Sequence, residues 1–275
     1  MLRILALFAL VLGGAVHAET LSVMSFNVRL PTAADGANAW DKRRELFIDT
    51  VRAQAPDLMG TQELYFEQGQ YIVEKLPEYR WFGMSRRGNH EDEHMGVFYR
   101  SNRLQLIDSG DFWLSNTPER AGSSSWGNLF PRMVTWALFE TVESHTRFLY
   151  YNTHFPYRAE DDEARRKAAT LIVNRLSLYD VALPIIVGGD FNTEPQGGAY
   201  AILTGLLKDV WTEAPSRSGP DATFHGFSGK PDRRIDWIVF RAPWRVLSAQ
   251  VDSHHDGVRY PSDHFPVSVV FELAP

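Results

Sequence analysis

The stretch "RYPSDHFPVSVVFEL", residues 259–273, sets two kinds of chemistry side by side. Its second half alternates: Phe265, Val267, Val269 and Phe271 share one face of a strand, the period-two pattern of a half-buried strand. Asp263 and His264, two groups that water holds strongly, stand just before it. A turn built on Ser262 and Asp263 is the plainer reading, and it leaves His264 incidental. The other reading is a functional pair held at the mouth of a core strand. The choice rests on whether other strands end in the same way.

They do. Asn27 ends "VMSFN", Glu63 ends "DLMGTQE", His154 ends "FLYYNTH", and Asp190 and Asn192 end "PIIVGGDFN". Asp236 lies inside "RRIDWIVF", between Ile235 and Trp237. Each has a bland alternative. Asn27 can cap a turn, Glu63 can be a solvated strand end, "GGDFN" is a fair turn sequence, and His154 can be a hydrogen-bonded core histidine. Asp236 is harder to dismiss, because a buried carboxylate needs a partner, and His264 is a candidate. Jointly the set indicates a site, since chains rarely end so many apolar strands in acids, amides and imidazoles.

Carboxylate and amide oxygens without thiolates suit a hard cation, Mg²⁺ or, in its place, Mn²⁺. Magnesium keeps several waters, so one or two direct carboxylates suffice. Two histidines nearby can hold a phosphate oxygen or move a proton. Phosphoryl transfer needs mostly positioning and charge neutralisation, and this set of residues offers both.

The 275 residues are 44% hydrophobic and 23% charged, an ordinary globular composition without repeats or low-complexity tracts. "MLRILALFALVLGGAVHA" has a basic residue, Arg3, an apolar run from Ile4 to Leu12, and a small-x-small end at Val16-His17-Ala18. It reads as a secretory signal peptide cut after Ala18; the apolar run is short for a span of about 20 residues. The expectation is an exported protein, periplasmic or secreted, without stable membrane insertion. With no cysteine in the chain, thiolate zinc sites and thiol nucleophiles are excluded. The formal charge is −6, or −7 without Arg3, which argues against unspecific binding to duplex nucleic acid.

From residue 19 to 275 no Pro/Gly/Ser-rich linker interrupts the chain. "TLSVMSFNVRL" reads as a strand and "DKRRELFIDTVRAQ" as a helix with Asp41 as N-cap and "APD" as its stop. "LYFEQGQYIVEKL" reads as a second helix. Strand-like stretches follow, then the helix "DDEARRKAATLIVNRLSLY", a short helix near 199–206, and the last strands. The pattern predicts one α/β domain with two sheets packed face to face and helices outside.

"MSFNVR", "TQE", "NTHF", "GGDFN", "RIDWI" and "SDHFPV" occur in the order seen in the endonuclease/exonuclease/phosphatase superfamily, and the chain resembles that group from about Leu21 onward. The wider texture, "GVFYR", "SGDFWLSNTPE" and "ATFHGFSG", looks like a bacterial branch of it. The resemblance implies a four-layer α/β/β/α sandwich of two mixed sheets, the fold of deoxyribonuclease I. It implies Glu63 as the main metal carboxylate, with Asn27 close by and Asp263 reaching the metal. Asp190 and Asn192 would orient the attacking water and the phosphate. His264 would face the scissile phosphate with Asp236 holding its imidazole, and His154 would donate to a non-bridging oxygen. Two positions depart from relatives. Arg29 stands where abasic-site enzymes have a carboxylate, and Pro156 stands where many relatives have an aspartate.

Three functions compete at this level. The first is an exported Mg²⁺-dependent phosphoesterase acting on a phosphodiester or phosphomonoester, with a small, sugar- or lipid-linked substrate favoured. The second is a secreted nuclease on DNA or RNA, for which the pairs Arg43/Arg44, Arg86/Arg87, Arg165/Arg166 and Arg233/Arg234 would have to build a basic groove. The third, a binding module on a dead scaffold, is disfavoured because every catalytic position holds a competent residue. Trp113, Trp126, Phe155 and Tyr157 fall in loop-like contexts and are candidates to line a pocket.

Overall fold

The computed structural model describes residues 18–273, so the predicted signal peptide lies, save for Ala18, outside the described residues. The chain runs β1 (Thr20–Asn27), α1 (Trp40–Gln54), β2 (Leu58–Gln62), α2 (Phe66–Lys75), β3 (Tyr79–Phe82) and β4 (Val97–Arg100). β5 (Leu104–Trp113), β6 (Met133–Thr141) and β7 (Arg147–His154) form an antiparallel meander, and α3 (Asp162–Leu176) crosses to β8 (Ile185–Asp190), parallel to β7. The short α4 (Gly198–Thr204), β9 (Lys208–Asp209), α5 (Val210–Glu213) and β10 (Arg217–Ser218) precede β11 (Asp236–Arg241), β12 (Arg245–Val251) and β13 (Val267–Glu272). Among the described residues one sheet has seven strands in the order β10-β12-β13-β1-β2-β4-β3, and the other six in the order β5-β6-β7-β8-β11-β9.

Residue parity builds the layers. Successive side chains of a strand point to opposite faces. On β1, Leu21 and Val23 enter a core shared with Tyr150 of β7, Ile186 of β8, Ile238 of β11 and Val267 and Val269 of β13. Met24 and Phe26, on the other face of β1, pack with Phe47, Ile48 and Val51 of α1 and Ile72 of α2. The second sheet does the same: Leu149, Tyr151, Val187 and Trp237 face Ala168, Ile172 and Leu176 of α3 and Leu203 of α4. Each such aliphatic burial contributes roughly 1.5–3 kcal/mol. The result is the expected helix–sheet–sheet–helix sandwich.

Along each central strand the inter-sheet face changes from apolar to polar. Leu21 and Val23 give way to Ser25 and Asn27; Phe148 and Tyr150 to Asn152 and His154; Ile186 to Gly188 and Asp190. The polar ends collect at one rim, and the site forms there.

Two local readings change. Asp41 lies inside the first turn of α1, and Ala39 is the N-cap, without a side-chain bond. The helix stops as expected, with Ala55 in the left-handed region at φ 43° and Pro56 following. Trp113 and Phe155 are buried core residues, not pocket-lining ones. Trp126 is half-buried, and its Nε1 donates to Asn116 Oδ1 at 2.7 Å.

Candidate active site

Strand register puts three of the predicted residues in one row. His154 of β7 lies opposite Asp190 of β8, and Asp190 lies opposite Asp236 of β11. The other sheet brings Asn27, at the end of β1, and Glu63, one residue beyond β2. The Asn27 amide spans the gap, donating to Glu63 Oε1 at 3.1 Å and to Asp190 Oδ2 at 3.0 Å. Its carbonyl oxygen accepts from the Arg29 backbone N–H at 3.0 Å, which sets the orientation of the amide.

The "SDH" stretch serves both readings of the sequence. Ser262 fastens the loop, its hydroxyl donating to the Asn27 carbonyl at 2.6 Å. The Asp263 carbonyl accepts the His225 and Gly226 N–H groups at 3.0 and 3.1 Å. His264 Nδ1 is 2.8 Å from Asp236 Oδ2, and Thr223 Oγ1 donates to the same oxygen at 2.5 Å. Arg234, the rival partner for Asp236, pairs with Asp209 instead. All eight predicted site residues therefore converge on one rim.

Asp190 Oδ2 is the hub. Besides the Asn27 amide, it has His154 Nε2 at 3.5 Å and His264 Nε2 at 3.8 Å. Its other oxygen accepts the Asn192 N–H at 3.0 Å, and the Asn192 side chain donates to the Phe155 carbonyl at 3.1 Å. Arg29, Glu63 and Asn192 all have positive φ, at 58°, 57° and 48°. Such backbone costs on the order of 1–3 kcal/mol per residue and persists where the surroundings over-determine it. Here the bonds to Asn27, Glu63 and Asp190 do so, since the Leu30 N–H also donates to Glu63 Oε2 at 3.2 Å.

Both imidazoles are buried, and their charged neighbours give them opposite states. Burial works against charge on His264, but Asp236 beside it raises its pKa to about 10, so the ring is an imidazolium. Burial, then the nearby Arg132 charge, holds His154 well below the usual histidine range and therefore neutral. Asp190 is pushed up to about 7, by burial first and then by Asp236. Burial also raises Asp263.

Crowded, buried carboxylates call for a cation. Arg29 supplies part of it: the guanidinium grips Asp35 at 2.9 and 3.0 Å and stands 3.8 Å from both Glu63 and Asp263. The donors around the rim are oxygens and imidazoles, a fit for a hard divalent ion. Atoms of Asp190, Asp236 and His264 also lie within 4.8 Å of one another in metal-ligand fashion. In that group, however, Asp236 and His264 are spent on each other. Asp190, Glu63 and Asp263 are the carboxylates left that could take an ion.

The cleft over this rim has a volume of about 720 Å³. Five of its walls are not among the predicted site residues, Glu93, Phe130, Arg132, Phe224 and Phe227, while Arg86 enters the sequence reading only as half of a candidate groove pair. Arg132 stands just before β6, at a strand mouth like that of Asp263 and His264. Tyr157 lines the cleft and is 52% exposed. Of the paired arginines, Arg86 and Arg233 line the cleft, and three are buried and engaged by other groups. Arg43 is fully buried and donates to the Pro261, Arg29 and Asn38 carbonyls; Arg165 is buried on the Pro156 and Arg158 carbonyls; Arg86 is buried against Asp92 and Glu93.

The model of the endonuclease/exonuclease/phosphatase family matches residues 24–264. A crystal structure of a family protein from Bacteroides thetaiotaomicron is 30% identical, covers 94% of this chain and 99% of its own, and superposes with a TM-score of 0.88. A mannosyl-6-phosphatase of Bacteroides thetaiotaomicron is also 30% identical, with 91% and 99% coverage and a TM-score of 0.86. An uncharacterised protein of Acanthamoeba polyphaga mimivirus is 30% identical over 166 residues, 56% of this chain. The chain spans 47–66% of the length of the first curated relatives it matches. A sequence match that runs from the first strand to His264, on a shared two-sheet sandwich, places this chain in the endonuclease/exonuclease/phosphatase family, whose enzymes hydrolyse phosphate esters.

Proposed function

We propose that this protein is an exported Mg²⁺-dependent phosphoesterase that cleaves a small, sugar- or lipid-linked phosphate ester by attack of water. The observation that carries the reading is the setting of Asp190 Oδ2, which faces a neutral and a charged imidazole at 3.5 and 3.8 Å. A carboxylate with a pKa near 7 is matched to taking a proton from water at neutral pH. Asn192, held on the Phe155 carbonyl, orients the water and the phosphate. His264, charged and steadied by Asp236, donates to a phosphate oxygen, and His154 donates to a second one. A Mg²⁺ ion on Glu63 and Asp263, with Asn27 holding Glu63 in place, supplies neutralisation of phosphate charge when bound. The hard-oxygen donor set supports Mg²⁺, with Mn²⁺ as a substitute.

The acidic net charge, the modest cleft and the likeness to a mannosyl-6-phosphatase favour a small sugar-linked substrate over a polynucleotide. Export rests on Arg3, the Ile4–Leu12 run and Val16-His17-Ala18. The test is a screen with Mg²⁺ across sugar phosphates, aryl mono- and diesters, inositol phosphates, phospholipids, DNA and RNA. Hydrolysis of small esters, lost on chelation and in Glu63→Gln, is the expected result. Turnover of polynucleotides alone would move the protein to the nuclease reading, and full activity of Glu63→Gln in chelator would remove the metal.

A further inference from the structure

One wall of the cleft carries a cation that the scheme above leaves unused. Arg132 lines the cleft yet is only 4% exposed, and its Nη1 is buried without a hydrogen-bond partner among the described residues. A buried guanidinium brings five N–H donors that need acceptors. The one carboxylate within reach is Glu93, with Oε2 at 4.0 Å from Arg132 Nη1. That oxygen is already 3.0 Å from Arg86 Nη1, and Arg86 holds Asp92 at 3.0 Å as well. Asp92 pairs with Arg86 and Arg87, and Glu93 Oε2 lies between Arg86 and Arg132 without a hydrogen bond, so three guanidinium groups share two carboxylates and Arg132 is left under-compensated. It lines the same cleft as His154, Asp190 and Glu63.

We propose that Arg132 binds the substrate's phosphate and makes the site selective for terminal phosphate monoesters over diesters, an inference that rests on the phosphoesterase reading above. The argument is a count of oxygens and charge. A diester presents two non-bridging oxygens and one negative charge, and the metal and the two histidines claim both oxygens. A monoester dianion presents three and carries a second charge, so one oxygen remains for a forked guanidinium. Water gives a proton to Asp190 as its oxygen bonds to phosphorus, the ester P–O bond breaks, the alkoxide takes a proton and leaves as the alcohol, and inorganic phosphate stays in the same grip. Inorganic phosphate is therefore a direct probe of the site.

The full mature chain with Mg²⁺ is compared with Arg132→Gln and Arg132→Lys. The readouts are inorganic phosphate affinity by calorimetry and kcat/KM for an aryl phosphomonoester and a bis-aryl diester. Arg132→Gln should weaken phosphate binding by about tenfold or more and lower the monoester kcat/KM by roughly 30- to 100-fold, leaving the diester within about threefold. Arg132→Lys keeps the charge without the fork and should fall between. Should Arg132→Gln unfold, the double variant Arg132→Met/Glu93→Gln removes the charge pair together. Unchanged phosphate affinity, or equal losses on both esters, overturns the proposal. A wild-type preference for diesters overturns it while the phosphoesterase reading stands. Arg132-dependent phosphate binding without turnover of either ester keeps the anion site and removes the hydrolase reading.

Discussion

Asp236 Oδ2 takes two hydrogen bonds, from His264 and from Thr223, while its other oxygen is buried without a partner. The first bond fixes which imidazole nitrogen faces the cleft and stabilises the charged ring. Removing either partner therefore removes largely the same stabilisation of the transition state. His264→Ala should lower kcat/KM by several orders of magnitude and Asp236→Asn by less, with the double variant near His264→Ala alone. Melting curves on each protein separate chemistry from folding. Losses that multiply strictly would end the pairing and leave Asp236 a fastener of the Thr223 loop.

Strand packing makes its own prediction. Gly60 sits on the inter-sheet face of β2, where a methyl group would lie 2.1 Å from Tyr150 Oη and 2.8 Å from Asn152 Oδ1. Under it runs a polar layer, with Gln62 donating to Asn152 Oδ1 at 2.7 Å and Asn152 donating to the Thr61 and Gly96 carbonyls. Gly60→Ala should cost about 1–3 kcal/mol by overpacking. The Tyr150 hydroxyl is buried without a partner, so Tyr150→Phe should be nearly neutral and should recover part of the loss in the double variant. Denaturant unfolding of the four proteins checks this. No recovery would mean that the clash is with Asn152 and the polar layer alone.

For the molecule as a whole, buried histidines set part of the pH response. His225 is pushed down to about 4, by burial first and then by the His264 charge, and it stacks on Phe265 at 4.1 Å. Its folded pKa lies below the unfolded value of about 6.5, so the unfolded chain gains a proton first on acidification. Stability linked to His225 is present above about pH 6.5 and is lost as pH falls toward 4. The melting temperature of the wild type should therefore drop more between pH 7 and 5 than that of His225→Phe; equal slopes would show that His225 titrates normally. The apolar leader carries a prediction at the same level. Protein exported from a bacterial host should begin at Glu19 by intact mass, and a soluble exported form retaining residues 1–18 would refute the cleavage.

Much of this architecture was legible in the order of residues because a strand's two faces are written into its period. The alternation of Phe265, Val267, Val269 and Phe271 named the buried face of the last strand, and the polar residues closing five strands named the rim. Local patterns could not say what each polar group touches. Asn27 reaches Asp190 across 163 residues of chain, and Arg43 reaches the Pro261 carbonyl across 218. Trp113 and Phe155 looked like loop aromatics but lie in the core, because burial depends on what the other sheet and the helices lay over them. Arg132 shows the limit most clearly. In the sequence it is one arginine before a strand. Only the fold, by burying it beside a carboxylate that Arg86 shares, leaves it a cation short of acceptors. Periodicity is a property of neighbours along the chain, whereas electrostatic compensation is a property of neighbours in space.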